Sequence, residues 1–318
     1  MNKLYLLAAI LLVHFSSCST RIDLFNPATK IPVVYLQVNP NDSMHYLTLT
    51  RTFSGEVSAF DIASDADQVF YNSCNIRLEG WIYDYRAFET YFEPSEKTKT
   101  PGIFPVISGY CFELSKTFLS ELITSYRLVL DLPGMSSPAF SKIEMIGPPI
   151  VKSERDRQIS LYGERCEIGI APGPGSAYCD LVCVFRYQQL EETWINHVDT
   201  FCLRKDINYE AGRTDYLYPE VFFNKIAANI KPVNDTIVRK FTSLDLTLYA
   251  GDQYFRDYID SYQNAGDHDI PPKGNINNGL GLFTMLRSAT KENMKLDSKT
   301  HDSLCMGQFT RQLGFVRW

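Results

Sequence analysis

Three small groupings of residues in this 318-residue chain could carry chemistry. Asp267-His268-Asp269 offers three metal-ligating side chains. Adjacent residues diverge on an extended chain, however, and Ala265-Gly266 and Pro271-Pro272 mark a surface loop on either side. Asp61, Asp65 and Asp67 could present oxygens to calcium, but the segment lacks the glycine and the terminal glutamate of a calcium loop, so it reads as a solvated acidic turn. Cys179 and Cys183 face one way in a strand yet stand about 13 Å apart, too far to bridge or share a metal unaided. If the Gly/Pro-rich segment from Ala171 to Ala177 is a hairpin loop, Cys166 lies across from Cys179 or Cys183, depending on register, and a disulfide can form; the other reading makes these buried free thiols that act as small apolar groups. No metal site and no cofactor is expected.

Catalytic patterns are absent from the sequence. There is no G-x-S-x-G elbow, no H-E-x-x-H and no G-x-x-x-x-G-K-[ST], and Gly279-Leu280-Gly281 lacks the third glycine of a dinucleotide loop. The expectation is a protein that is not an enzyme, with no catalytic residue assigned. Spacing does leave open a pair of carboxylates for glycoside hydrolysis, because acid and base can meet from distant positions. Aromatic residues make up 13% of the chain, and Trp81 and Trp194 are the guessed ligand-binding contacts, since such rings can stack on sugars. The same composition suits strands, where aromatics are favoured. Trp81 alternates with Ile82, so only one of the two can face the core.

The elements that would position these residues are mostly strands. Val34, Leu36 and Val38 alternate with Tyr35 and Gln37, and a second run from Tyr46 to Thr50 follows the turn cluster Asn39-Pro40-Asn41-Asp42, which makes a strand pair. Further strands are expected at Asn75 to Tyr83, Val106 to Glu113, Arg127 to Leu132 and Lys142 to Ile146, then at Ile159 to Tyr162, Cys166 to Ile170 and Asp180 to Tyr187, with a last one through Leu244, Leu246 and Leu248. Pro219 starts a helix that ends near Ile230, and Asp252 caps a second, whose Tyr254, Phe255, Tyr258, Ile259 and Tyr262 form a stripe expected to pack on the sheet. The fold class is mainly β, as two antiparallel β-sandwich-like domains, the second with a few helices. A soft boundary falls at Gly147-Pro148-Pro149. It divides an immunoglobulin-like domain over residues 31–148 from a β-rich domain over 149–318.

Before residue 31 the chain reads as an address. Lys3 precedes an apolar run from Leu4 to Phe15 that stops at Ser16-Ser17-Cys18, about the length of a signal-peptide core and too short for a membrane span. A cysteine directly after two serines fits a lipoprotein signal over residues 1–17, with Cys18 lipidated by palmitate-type acyl chains and residues 18–30 as tether. No second apolar run is long enough to cross a bilayer, so membrane attachment would rest on the lipid. A net charge of −6 without a Lys/Arg cluster argues against a nucleic-acid partner.

The run Val33-Val34-Tyr35-Leu36, the segment from Asn39 to Tyr46 and the strand ending Arg51-Thr52-Phe53 resemble Bacteroidota cell-envelope lipoproteins of domain-of-unknown-function family 4249. Tyr126-Arg127-Leu128-Val129-Leu130 is similar to the strand that closes the family's first sandwich. Asn275-Ile276-Asn277-Asn278-Gly279-Leu280-Gly281-Leu282-Phe283 looks like its glycine-rich signature near the C-terminus. The resemblance implies a lipid-anchored, mostly β protein of the cell envelope that accompanies outer-membrane import machinery, and the expectation built on it is an outer-membrane, non-enzymatic binding or accessory subunit, with an outer-membrane transporter and a glycan or peptide ligand as partners. It brings no catalytic residues, so Gly279 and Gly281 read as positions that allow a tight bend or bulge beside a strand. Only one acidic residue follows Cys18 in Ser19-Thr20-Arg21-Ile22-Asp23, so both the surface and the periplasmic face stay open. The rival readings are a lipid-anchored glycan hydrolase and a structural subunit of a surface fibre or adhesion assembly.

Overall fold

The computed structural model describes residues 30–53, 59–71, 73–95, 111–115, 122–153, 157–162, 165–166, 168–207, 214–233, 237–264 and 274–317. In chain order the strands begin with β1 Pro32–Val38, β2 Met44–Arg51, β3 Asn75–Ile82, β4 Tyr85–Tyr91, β5 Glu93–Pro94 and β6 Cys111–Ser115. Next come β7 Ser125–Asp131, β8 Ala139–Glu144, β9 Ile150–Ser153, β10 Gln158–Ile159, β11 Leu161–Tyr162 and β12 Arg165–Cys166. The last six are β13 Ile168–Ala171, β14 Tyr178–Leu190, β15 Trp194–Arg204, β16 Asp215–Tyr216, β17 Val238–Gly251 and β18 Leu280–Leu296. The longer helices run over Pro219–Asn229, Gln253–Asn264 and Ser298–Met306. The protein is therefore mainly β with few helices. No helix among the described residues is long and apolar enough to cross a membrane.

The alternation in β1 does what its period demands. Val34, Leu36 and Val38 are buried while Tyr35 and Gln37 face out, and β2 pairs antiparallel with Leu36 opposite Leu47. The turn between them is tied by its own side chains: Asn39 Oδ1 accepts from the Asn41 N–H, and Asn39 Nδ2 donates to Asp42 Oδ1 at 3.0 Å. Strands β4-β3-β7-β8 form a separate four-stranded antiparallel sheet. Its inward residues Ile76, Leu78, Tyr126, Leu128 and Ile143 share one hydrophobic core with those of β1 and β2, a sandwich-like arrangement. Burying each such Leu or Ile contributes about 1.5–3 kcal/mol, and this supplies the main drive for stacking the layers.

The expected break at residue 148 does not divide the fold into two sets of sheets. Among the described residues a nine-stranded sheet runs β15-β14-β17-β18-β1-β2-β6-β5, with β10 also on β18, and so takes strands from both sides of the boundary. The joint is the parallel pairing of β1 with β18, from Val33 opposite Leu280 to Val38 opposite Met285. Nor is the Gly/Pro segment a free linker. Gly147 N–H donates to the Pro174 carbonyl at 2.7 Å, and Gly173 approaches so closely that a Cβ there would lie 1.9 Å from the Gly147 oxygen. The two Gly/Pro loops are thus packed on each other.

The hairpin expected around Ala171–Ala177 is also corrected. Strand β13 pairs with β9 and β16, β12 pairs with β11, and β14 lies between β15 and β17, so the loop joins two different sheets. The register places Cys166 opposite Leu161. Cys179 and Cys183 are free, buried thiols and neither is bridged to Cys166. The helices begin where expected. Pro219 occupies the first turn of its helix, and Asp252 Oδ1 caps the next by accepting from the Phe255 N–H at 2.8 Å. The aromatic stripe divides: Phe255 packs edge-on against Tyr178 and Tyr258 against Tyr35, whereas Tyr254 and Tyr262 are exposed.

Candidate ligand-binding face

The outward face of the four-stranded sheet is built by the same period of two that builds the core. On β3 the residues Ile76, Leu78 and Gly80 point inward, and Arg77, Glu79 and Trp81 point outward. Ile82 packs against the core, so Trp81 is the outward member of its pair with Ile82. Gly80 is required because the Phe88 ring occupies the space of its side chain, with Cε1 2.1 Å from where a Cβ would stand. A register shift between Gly80 and Trp81 then brings Trp81 opposite Arg86.

Trp81 is held in place by an ionic network. Its Nε1–H donates to Glu79 Oε2 at 3.2 Å, and Glu79 Oε1 receives Arg77 Nε at 3.3 Å with Arg86 Nη1 at 3.7 Å. The Glu79 side chain is only 5% exposed, a degree of burial a carboxylate tolerates when it is paired on several sides. The network extends through Arg77 to Asp131 at 2.5 Å and through Arg86 to Glu89 at 2.7 Å. The Tyr91 hydroxyl donates to Glu89, and this bond, ahead of the Arg86 and Arg77 charges, holds the Glu89 carboxyl below the usual range.

Beside Trp81 lies a cleft of about 230 Å³ lined by Trp81, Tyr83, Asp84, Ser125, Arg127 and Lys142. Tyr83 is 81% exposed and has φ +53, a left-handed backbone position whose usual occupants are glycine and asparagine. Thr124 fixes it there, its hydroxyl accepting from the Tyr83 N–H at 2.8 Å and donating to the Trp81 carbonyl at 3.0 Å. Holding a tyrosine in this region costs about 1–2 kcal/mol, and such residues cluster at functional sites. Arg127 and Lys142 sit directly opposite each other on β7 and β8, a like-charge pair that strands ordinarily avoid. Glu79 is the cross-strand neighbour of Arg127 on the other side, and Lys142 pairs with Glu144 at 2.8 Å.

Trp194 is placed elsewhere. It begins β15 at the outer edge of the nine-stranded sheet, 37% exposed, with Lys240 Nζ 4.2 Å from the centre of its ring. The two tryptophans are therefore not brought together, and one ring face of Trp194 is already taken by a cation. Of the remaining groupings, Asp267, His268 and Asp269 fall outside the described residues. Asp65 accepts from the Asp67 N–H and so caps a short helix. Among the described residues no group of three or more His, Cys, Asp or Glu could hold a metal. Burial pushes the Cys74, Cys202 and Cys305 thiols up to about 11 and that of Cys179 up to about 12, which makes them poor nucleophiles.

A larger cleft of about 710 Å³ opens at the other end of the sandwich, between Lys30–Pro32, Arg51, Tyr71, the loop Pro133–Ser137 and Asn278–Leu280. The glycine-rich segment forms one wall and laces the two sheets together. Asn277 exchanges main-chain hydrogen bonds with Phe140 of β8, and Asn278 Nδ2 donates to the Pro138 carbonyl at 3.1 Å. Gly281, at φ +106, lies within β18 opposite Val34, where a Cβ would stand 1.9 Å from the Val34 oxygen, so this position of the strand admits only glycine.

No family model matches this chain, and no curated protein matches it. Among solved structures, the C-terminal globular domain of an oligosaccharyltransferase from Pyrococcus abyssi aligns at 14% identity with a TM-score of 0.18, over 59% of this chain and 39% of that one. The chain thus spans well under half of that protein, and the likeness carries no argument about fold or function.

Proposed function

We propose that this chain is a lipid-anchored envelope protein, held at the outer membrane through Cys18, and acts as a non-enzymatic binding or accessory subunit, alongside an outer-membrane transporter. The resemblance to family 4249 supports the anchoring and the partner. The observation that carries the binding role is the outward Trp81, fixed by Glu79 and flanked by Tyr83 and the opposed cations Arg127 and Lys142 around a cleft of about 230 Å³. That volume suits one ring of a glycan rather than a larger body. Two aromatic faces give a stacking platform, and an acidic group on the sugar would relieve the repulsion between Arg127 and Lys142. The cleft is lined by a single carboxylate, Asp84, whereas glycoside hydrolysis uses two, which favours binding over cleavage.

The test is titration of the full chain with oligogalacturonate and with neutral galactooligosaccharide, read by tryptophan fluorescence. The expected result is binding that favours the acidic glycan, is weakened several-fold in Trp81→Ala and Tyr83→Ala, and falls as salt rises. Unchanged affinity in both variants, each melting like the parent, would remove this face from the reading. Capture of the lipidated protein from gently solubilised envelopes tests the partner: a stoichiometric transporter supports the accessory role, and recovery of the protein alone counts against it.

A further inference from the structure

The larger cleft has a charge pattern at odds with the rest of the molecule. The chain carries a net charge of −6, yet the ionisable cations on this wall, Lys30 and Arg51, are accompanied by no carboxylate among its lining residues. Strand geometry sets the two cations side by side. Pro32 pairs with Arg51, and the ladder continues through the Thr52 N–H to the Ile31 carbonyl at 2.8 Å, so Lys30 is the diagonal neighbour of Arg51 on the same face. Diagonal neighbours lie about 7–8 Å apart, within reach of one carboxylate for two long basic side chains.

Arg51 is pre-positioned. Its Nε donates to the Gln68 carbonyl at 2.9 Å, a second nitrogen donates to the Asp67 carbonyl, and the guanidinium lies 5.4 Å from the centre of the Tyr71 ring. These are neutral partners, which orient the group without cancelling its charge. The remainder of the wall is largely apolar, with Ile31, Pro32, Pro133, Met135 and Leu280, and the hydroxyls of Ser136 and Ser137 stand beside it. The wall is also rigid, since the loop after β7 is held through Pro138 to Asn278 and the glycines of the β18 entry are locked against β1. A preformed cleft with apolar lining and two neighbouring cations selects a ligand with an apolar body and one acid group.

We infer that this cleft binds a small amphipathic carboxylate, its acid group between Lys30 and Arg51 and its hydrocarbon part along Ile31, Pro32, Met135 and Leu280. The site is separate from the Trp81 face: it borders the Asn75 and Asp131 end of β3 and β7, whereas Trp81 and Ser125 stand at the opposite end of that pair.

Calorimetry on the full chain carrying Cys18→Ser, so that no attached acyl group competes, would use octanoate, octanol and acetate as probes. Octanoate should bind at one site per chain, about tenfold more tightly than octanol or acetate, and lose affinity as salt rises. Lys30→Gln and Arg51→Gln should each weaken octanoate about tenfold and leave octanol unchanged. Because Arg51 also holds two main-chain carbonyls, the exposed Lys30 provides the variant that leaves folding intact. Trp81→Ala should leave octanoate binding as it is, which separates failure of this inference from failure of the glycan reading. Equal affinity for octanoate and octanol, or full affinity in Lys30→Gln, would overturn it.

Discussion

The two faces of the four-stranded sheet come from the same residues of sequence taken alternately, and they do different work. Inward, Leu78, Tyr126, Leu128 and Leu130 are completely buried in the hydrophobic core shared with the opposite layer. Outward, Arg77, Glu79, Arg86 and Glu89 spend their charges on one another and on the orientation of Trp81. An apolar face stabilises by area removed from water, whatever the pH or salt. An ionic face adds little net stability, because desolvation offsets attraction, but it fixes geometry. The contrast teaches that this sheet is held from inside and made specific from outside.

The contrast can be broken at several points. Leu128→Ala should cause the largest loss, about 2–5 kcal/mol in denaturant unfolding, equal at pH 7 and pH 4. A loss below about 1 kcal/mol would mean that the inner face is not what holds the layers. Next comes Glu79→Ala, which leaves the Trp81 N–H and the Arg77 guanidinium without their buried acceptor and should cost about 1–3 kcal/mol. Glu79→Ala should also alter the near-ultraviolet circular dichroism of tryptophan. An unchanged spectrum would show that the network does not orient the ring. Trp81→Ala should cost less than about 1.5 kcal/mol in stability while removing most glycan affinity. A large loss of stability with binding retained would invert its role from contact to core.

The smallest effect is in the acid limb. The Glu89 carboxyl is held below its usual value in the folded protein, so folding is favoured by its ionised form; that contribution is present above the unfolded-state value and fades as pH falls through the lower folded one. Glu89→Gln should therefore lower stability slightly near neutrality, where that contribution is fully present, and flatten stability against pH below about 4.3, so that variant and parent converge at low pH. Leu128→Ala should keep the parent's acid limb. If both variants change the limb alike, the charge network is not its source.

Much of this architecture was legible where a local rule sufficed. The alternation in β1, the turn at Asn39-Pro40-Asn41-Asp42, Pro219 at a helix start and the Asp252 cap each depend on neighbours within a few residues, and each is present as expected. Strand β4 escaped notice because, at the edge of its sheet, only Phe88 and Thr90 turn inward and the first half of the strand shows no alternation. The second half of β18, with Lys291-Glu292-Asn293, owes its extension to pairing with β17, a partner distant in sequence. Gly147-Pro148-Pro149 looked like a boundary, since nothing local reveals that Pro174 packs upon it. Trp81 could be singled out from its alternation with Ile82. Tyr83 could not, because the left-handed position in its turn is taken by a tyrosine, with Asp84 beside it as the sole residue of a turn-forming type. Arg127 and Lys142 join the site only through strand register, and the larger cleft gathers segments from five separated parts of the chain.

The parallel contact between β1 and β18 also governs how the molecule can come into being. Synthesis delivers β1 long before β18, yet Val33 must find Leu280 before the middle of the largest sheet is closed. Until then one flank of β1 is an open row of amides and carbonyls, able to recruit a strand from another chain. Assembly dominated by so distant a closure is slow, and stalled or truncated chains are exposed to mispairing for as long as the final strand is missing. Loss of β18 should thus damage β1, and the shortest stable unit of this protein is set by its topology rather than by the position of its loops.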